Sequence, residues 1–406
     1  VPADPVYAIV GGGQAAGWAA VTLRKEGFAG RLVLVGEEPY PPYERPPLSK
    51  GLLAGDEGPE KAFLHPPSHY RDIGVELRLG VRALAIDPRE RRVSLADGES
   101  LAYDKLLLAT GSKVRRLGIP GADLPGVHYL RTIGDMLAIR GRLSAGARLA
   151  VVGGGYIGLE VAATARKRGC GVVVLEMQET VMGRVVAPEV GRFYADVHRR
   201  HGVDVRTGVT VAGFEGDGRV ERVRLVGGEA VPCDAVVIGV GIAPDADLAE
   251  AAGLAVDNGI VVDEFGRTSD ARVFAAGDAT NQPNAVLGRR LRLESWQNAQ
   301  NQAIAAAKAM CGKPEPYAEV PWFWSDQYDL NLQIVGLAER WDSLVFRGGP
   351  EAAPFTAFYL ADGRVVAANA VNNARDVRFA RKLIAERRPV EPAKLADPSM
   401  PLKQLA

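Results

Sequence analysis

The sequence predicts an α/β chain: two copies of one nucleotide-binding architecture, closed by an α+β module. Three observations carry this. A short apolar strand runs directly into a glycine-rich turn twice, as "VYAIVGGGQAAG" and as "RLAVVGGGYIGLE". Each copy closes with a strand of matching design, "YDKLLLATG" at 103–111 and "CDAVVIGVG" at 233–241. From about residue 320 the pattern changes to several strands followed by a basic helix.

In chain order, 6–10 reads as the first strand, 18–26 as a helix and 31–35 as a second strand. Continuous apolar strands separated by helices indicate a parallel sheet covered on both faces. "PPYERPPLSKGLL" follows, with four prolines and Lys50 but no cysteine. Short strands around turn signals come next, in "PRERRVSLADGESL". The second copy repeats the order: a strand at 148–152, a helix to 168, a strand at 172–176, then "EGDGRVERVRLVGGEAV". After Gly241 the chain returns to the first copy through "GIVVDEFGRTSDARVFAAGDAT" and the long helix of "ESWQNAQNQAIAAAKAM". The expected division is 1–111 with 242–319, 112–241, and 320–406.

Bulk properties narrow the function. A chain of 406 residues exceeds what one core serves. Hydrophobic content of 47% and charged content of 24% fit a globular protein. The 49 basic and 49 acidic residues cancel, which argues against nucleic acid as the partner. No apolar run is long enough for a bilayer, and "VPADPVYAIVGGG" lacks a signal-peptide pattern, so the cytoplasm is expected. Cys170, Cys233 and Cys311 form no C-x-x-C pair, so neither a disulfide framework nor a metal site is expected. His198 and His201, in "HRRH", read as surface helix residues.

In the first loop Gly11 permits the tight turn, Gly13 lets a pyrophosphate approach the backbone, and Ala16 lets helix and strand pack closely. The phosphates then face a helix N-terminus, and Glu37 is placed for a ribose. Gly153, Gly155 and Gly158 repeat the logic, with Glu176 as the ribose carboxylate. A carboxylate there repels a 2′-phosphate, so NADH is favoured over NADPH, with Arg184 nearby in sequence. "TSDARVFAAGDAT" matches the pattern flavoproteins use near the FAD ribityl chain, with Asp278 as the acid. This segment returns to the first copy, which assigns FAD to the first loop and the nicotinamide nucleotide to the second.

Taken together, "GGGQAAG", "ERPPLSK", "LLLATG", "LRT", "GGGYIGLE", "GDAT", "ESWQNAQNQA" and "PWFWSDQ", in this order, resemble the FAD-dependent ferredoxin reductases of bacterial oxygenase systems. Those serve Rieske dioxygenases and class I cytochromes P450. The resemblance spans essentially the full length and implies a glutathione-reductase-like fold: an FAD domain, an NAD domain and a C-terminal domain. It implies that Arg45 and Lys50 lie along the flavin and Glu160 near the nicotinamide. It further implies that Ala83, Arg131, Asp278 and Trp296 contact FAD, and that Ile157, Glu176 and Gly241 contact NADH. The implied partner is a [2Fe–2S] ferredoxin, usually acidic.

The chemistry gives Lys50 a reason. Flavin reduction adds an electron pair and often a negative charge, which a nearby ammonium stabilises. A buried ammonium needs a partner, and Glu160 is the candidate. Disulfide reductases receive the electron pair on two thiols; without them, single-electron transfer to a metal protein fits. A helix beginning near Glu294 would aim its N-terminus at the flavin, with Trp296 at that end. Trp322, Phe323 and Trp324 are candidates to cover the flavin, or are core aromatics of the last module. Two basic groups are candidates for docking: Arg289, Arg290 and Arg292, or Arg375, Arg378, Arg381 and Lys382. Competing readings are a rubredoxin reductase, a nitrite-reductase flavoprotein, or a flavin-bound NADH sensor.

Overall fold

The computed structural model describes residues 4–406. The chain divides into two compact units: Val1–Pro46, Pro59–Lys113 and Ile242–Pro321 in one, Pro47–Gly58, Val114–Gly241 and Trp322–Ala406 in the other.

In the first unit five parallel strands stand in the order Val273–Ala275, Lys105–Leu108, Val6–Val10, Arg31–Gly36, Val75–Leu79. The second unit has the order Val203–Arg206, Gly171–Leu175, Arg148–Val152, Ala235–Ile238, Val127–Tyr129, also parallel. Four strands correspond one to one. The fifth differs in origin: the first unit takes it from the returning chain, the second from the chain that enters it. Both central strands bury their last four residues, 7–10 and 149–152, as a sheet covered on both faces requires.

The equal spacing of the closing strands has a physical counterpart. The Val6 amide donates to Asp104 Oδ2 at 2.8 Å, and the Arg148 amide donates to Asp234 Oδ2 at 2.8 Å. One carboxylate in each copy ties down the start of its first strand. Each unit also carries a three-stranded antiparallel sheet, Ala83–Asp87 with Arg92–Leu95 and Ser100–Ala102, and Val211–Glu215 with Arg222–Leu225 and Ala230–Pro232.

The glycine-loop helices begin at once after the turns, as Gln14–Lys25 and Tyr156–Lys167. The first of them packs on the long helix Trp296–Met310, and its partners are small: Ala16, Ala19 and Ala20 meet Ala299, Ala303, Ala306 and Ala307 in one core. Alanine-rich faces let the two backbones approach closely, and Leu23 and Met310 fill the remaining space.

The C-terminal module is a five-stranded antiparallel sheet, in the order Trp322–Gln327, Leu330–Gly336, Arg364–Val371, Phe355–Ala361, Ser343–Arg347. The helix Ala374–Glu386 buries Val377, Ala380, Leu383 and Ile384, a stripe at helical spacing.

His198 is not the surface helix residue that "HRRH" predicts. His201 is exposed, but His198 is fully buried. Strand Trp322–Gln327, more than a hundred residues away, covers it, and its Nε2 lies 2.9 Å from Gln327 Oε1. Burial is the main cause that pushes its pKa down to about 4.

Candidate functional site

The first glycine loop is shaped by close contact. Gly11 has φ +137°, and a Cβ there would meet the Ala109 carbonyl oxygen at 2.2 Å. Gly13 has open space where its Cβ would be. Ala16 is fully buried. No side chain caps the helix that starts at Gln14, so its first amides stay available to a ligand. The Gln14 side chain is itself buried, with neither amide atom partnered. A buried unsatisfied amide is costly, and its position at the head of the loop fits a bound dinucleotide such as FAD. Glu37 follows the second strand and is exposed, with the Arg82 guanidinium 3.9 Å away.

In the same unit, Asp278 lies three residues after strand Val273–Ala275, and Ser112 Oγ donates to its Oδ2 at 3.0 Å. Gln302 holds the turn before it: its Oε1 accepts from the Gly277 amide at 2.8 Å and from Thr280 Oγ1 at 2.9 Å. Arg45 donates to Tyr43 Oη at 2.8 Å and pairs with Glu38 at 3.3 Å. Trp296 opens the long helix, which Ser295 caps by accepting from the Asn298 amide. Burial raises the Glu44 carboxyl, against a hydrogen bond with Trp296 that lowers it. Ala83 is buried at the start of its strand.

The second unit holds the other candidates. Gly153 has φ +102° and no room for a Cβ beside the Gly239 carbonyl, while Gly155 is open. Gly158 lies against the Gly153 carbonyl, where a Cβ would come within 2.2 Å. Glu176 accepts from the Gly154 amide at 2.6 Å and the Gln178 amide at 2.8 Å, which fixes its carboxylate over the glycine turn. Ile157 is partly exposed on the first turn of the helix. Gly241 has φ +104° and lies beside the Arg184 guanidinium. Arg131 also belongs to this unit, just before the capping box of Thr132 and Asp135.

The "ERPPLSK" segment divides between Pro46 and Pro47, so Arg45 belongs to the first unit and Lys50 to the second. Helix Tyr156–Lys167 anchors the second part: Thr164 Oγ1 donates to the Ser49 carbonyl at 2.8 Å, and Arg168 donates to the Ala54 carbonyl. There Lys50 Nζ meets Glu160 Oε2 at 2.9 Å. Glu160 is only 2% exposed. It also accepts from Ser49 Oγ at 2.5 Å and from Ser325 Oγ at 2.7 Å. Reading the residues in sequence pairs lysine with glutamate but misses both serines. Both serines stand inside motifs, "LSK" and "WSDQ", whose charged and aromatic members carry the stronger chemical signal.

Of the aromatic run, Phe323 packs on Tyr156 with ring centres 5.2 Å apart, and Trp322 stacks on Trp324 at 5.3 Å. In the arginine group at 289–292, Arg290 donates to the Val262 and Asn281 carbonyls and Arg292 pairs with Glu294. Arg375, Arg378 and Lys382 are exposed on the C-terminal helix. Cys170 and Cys233 are buried, and burial raises all three thiols, Cys233 to about 12. Among the described residues no group of three or more His, Cys, Asp or Glu can hold a metal ion. No helix among them is long and apolar enough to cross a membrane.

Comparison with known proteins decides the family. Residues 5–303 match the model of the pyridine nucleotide-disulphide oxidoreductases, and residues 322–406 match that of the reductase C-terminal domain. The ferredoxin–NAD(+) reductase component of the anthranilate 1,2-dioxygenase system of Burkholderia cepacia is 45% identical, over 99% of both chains. The chain belongs to the ferredoxin reductases of the pyridine nucleotide-disulphide oxidoreductase family. Putidaredoxin reductase of Pseudomonas putida is 42% identical to this reductase, over 98% of this chain and 96% of its own. A crystal structure of the covalent putidaredoxin reductase–putidaredoxin complex superposes on the reductase with TM-score 0.95, at 42% identity, covering 99% of this chain and 98% of that one. The glutathione-reductase-like fold class follows from these matches and the two parallel sheets.

Proposed function

We propose that this reductase is an NADH:ferredoxin oxidoreductase whose physiological acceptor is a [2Fe–2S] ferredoxin serving a dioxygenase or a monooxygenase. The observation that carries the reading is the Lys50–Glu160 pair, a buried carboxylate with a lysine on it, in a chain with two buried thiols and a pKa raised by burial at all three. FAD, when bound, supplies the conversion of one hydride into two single electrons.

The chain's residues do the rest. Gly11, Gly13 and Ala16 admit the FAD pyrophosphate to the first helix, Glu37 takes its ribose, and Asp278, fixed by Ser112, takes a ribityl hydroxyl. Arg45, Ala83, Arg131 and Trp296 complete the FAD contacts. Gly153, Gly155, Gly158, Ile157 and Gly241 receive NADH, and Glu176 accepts from its ribose hydroxyls. Glu176 lies too close to the glycine turn for a 2′-phosphate to be welcome. Lys50 acts on hydride transfer: its ammonium favours negative charge developing at the acceptor, and Glu160 offsets the cost of keeping that ammonium out of bulk water. The chain falls into an FAD portion (1–111 and 242–319), an NAD portion (112–241) and a C-terminal module (320–406). An acidic ferredoxin suits the exposed Arg375, Arg378 and Lys382 of the C-terminal helix. The cytoplasm, where NADH is supplied, is the proposed compartment.

Anaerobic reduction with NADH, followed by titration with candidate acceptors, tests this. A [2Fe–2S] ferredoxin should drain the reduced protein rapidly. Faster turnover with rubredoxin or a nitrite reductase, or stable reduction with no acceptor, would replace the reading by one of its rivals.

A further inference from the structure

The bonds around Glu160 continue inward, away from Lys50. Ser325 Oγ donates to Glu160 Oε1 at 2.7 Å and accepts from Gln327 Nε2 at 3.1 Å. Gln327 Oε1 lies 2.9 Å from His198 Nε2, and His198 Nδ1 lies 3.3 Å from Tyr328 Oη. Ser325, Gln327 and His198 are fully buried. All these residues lie in the second unit.

The proton positions along this chain follow by deduction. Glu160, as the partner of the Lys50 ammonium, only accepts. Ser325 must therefore donate to it, and so must receive its other bond from the Gln327 amino group. That turns the Gln327 carbonyl toward His198, which must carry its proton on Nε2 and leave Nδ1 to accept from Tyr328. Every donor points the same way, ending on Glu160. A glutamine amide passes a proton poorly, so the chain suits holding rather than conduction. A second observation supports a selected arrangement. Tyr328 sits in the tight turn after the strand with φ +57°, backbone that a bulky residue seldom adopts. Its ring stacks on His201 at 3.6 Å while its hydroxyl reaches His198.

We propose that Ser325, Gln327 and neutral His198 are positioning residues for hydride transfer, forming a one-way hydrogen-bond chain that holds the Glu160 carboxylate aimed at Lys50. The proposal deepens the reading of the Lys50–Glu160 pair and rests on it. The other titratable and charged groups near the histidine end are His201, the C-cap of the same helix, which bears on His198, and Arg166, which donates to the His201 carbonyl and bears on Tyr328. His198 stays neutral beside them because it is buried.

Two readouts test it on the FAD-loaded protein. In the first, ¹⁵N-histidine NMR, with the His198 signal assigned through His198→Gln, should show the Nε2–H tautomer without titration between pH 8 and 5.5. Glu160→Gln, which gives Ser325 a donor in place of an acceptor, should shift the His198 nitrogens although the two side chains do not touch. An Nδ1–H tautomer, or no response to Glu160→Gln, would overturn the chain. In the second, anaerobic stopped-flow reduction by NADH, Ser325→Ala and Gln327→Met should each lower the limiting rate about tenfold, the scale of one charge-assisted hydrogen bond. Half-saturating NADH should stay unchanged. Ser325→Thr should restore the rate, and Ser325→Ala should add no further loss to Glu160→Gln. Wild-type rates in Ser325→Ala, or additive losses, would overturn the positioning role. If Glu160→Gln itself reduces at the wild-type rate, the reading of the pair falls too; if only the serine and glutamine variants do, the pair stands and the chain's role falls.

Discussion

Lys50 and Glu160 differ in their surroundings, and this sets what each substitution does. The carboxylate is 2% exposed while the lysine side chain is 24% exposed. Removing the lysine strands a buried charge that keeps two hydroxyl donors, so Lys50→Ala should cost about 1–3 kcal/mol of stability. Its kinetic effect should be larger: roughly tenfold to a hundredfold slower flavin reduction, with FAD still retained after gel filtration. Stopped-flow traces with an unchanged reduction rate would remove Lys50 from the chemistry. Glu176 makes a separate prediction. Its carboxylate is tied to the Gly154 and Gln178 amides. Glu176→Ser removes the repulsion of a 2′-phosphate and the ribose acceptor together. The ratio of kcat/KM for NADH over NADPH should fall about tenfold or more.

At the scale of elements, the turn before the first helix leaves no freedom at Gly11. A Cβ there meets a backbone carbonyl at 2.2 Å, in a conformation that disfavours any side chain. Gly11→Ala should yield protein that does not retain FAD, read from the flavin-to-protein absorbance ratio. The alanine face between the helices Gln14–Lys25 and Trp296–Met310 is equally intolerant of bulk: Ala303→Leu should destabilise by about 1–3 kcal/mol in urea melts. Helix Pro188–Arg200 carries a pH prediction through His198. Its folded pKa, about 4, lies below the ordinary 6.5, so the unfolded chain binds its proton first as pH falls. The stability His198 contributes is complete above pH 6.5 and is lost progressively toward pH 4, by on the order of 3 kcal/mol. Melts of the wild type and His198→Gln should converge over that window. Parallel pH dependences would show that His198 does not titrate differently in the two states.

Over the whole molecule, what was legible in the sequence was local and repeated. Both glycine turns and their following helices are written in contiguous residues, because a strand, a tight turn and a helix N-terminus each impose their residue types nearby. The duplicated sheet could be inferred because the closing strands share their spacing, and the Asp104 and Asp234 ties show why. Long-range packing was not legible. Nothing near "HRRH" announces that a distant strand buries His198, and nothing in "LSK" or "WSDQ" says that two serines converge on one carboxylate. Nor does a Pro-Pro pair declare that compactness divides between its members, leaving Arg45 in one unit and Lys50 in the other.

Electrons should leave this reductase singly for an iron–sulfur protein without passing through a thiol. The direct measurement uses the Cys170→Ala, Cys233→Ala, Cys311→Ser triple variant, loaded with FAD and mixed anaerobically with NADH and a [2Fe–2S] ferredoxin. Two ferredoxins should be reduced per NADH consumed, at the wild-type rate, because a hydride carries two electrons and each cluster accepts one. A variant that takes up the hydride yet no longer reduces ferredoxin would show that a thiol lies on the electron path.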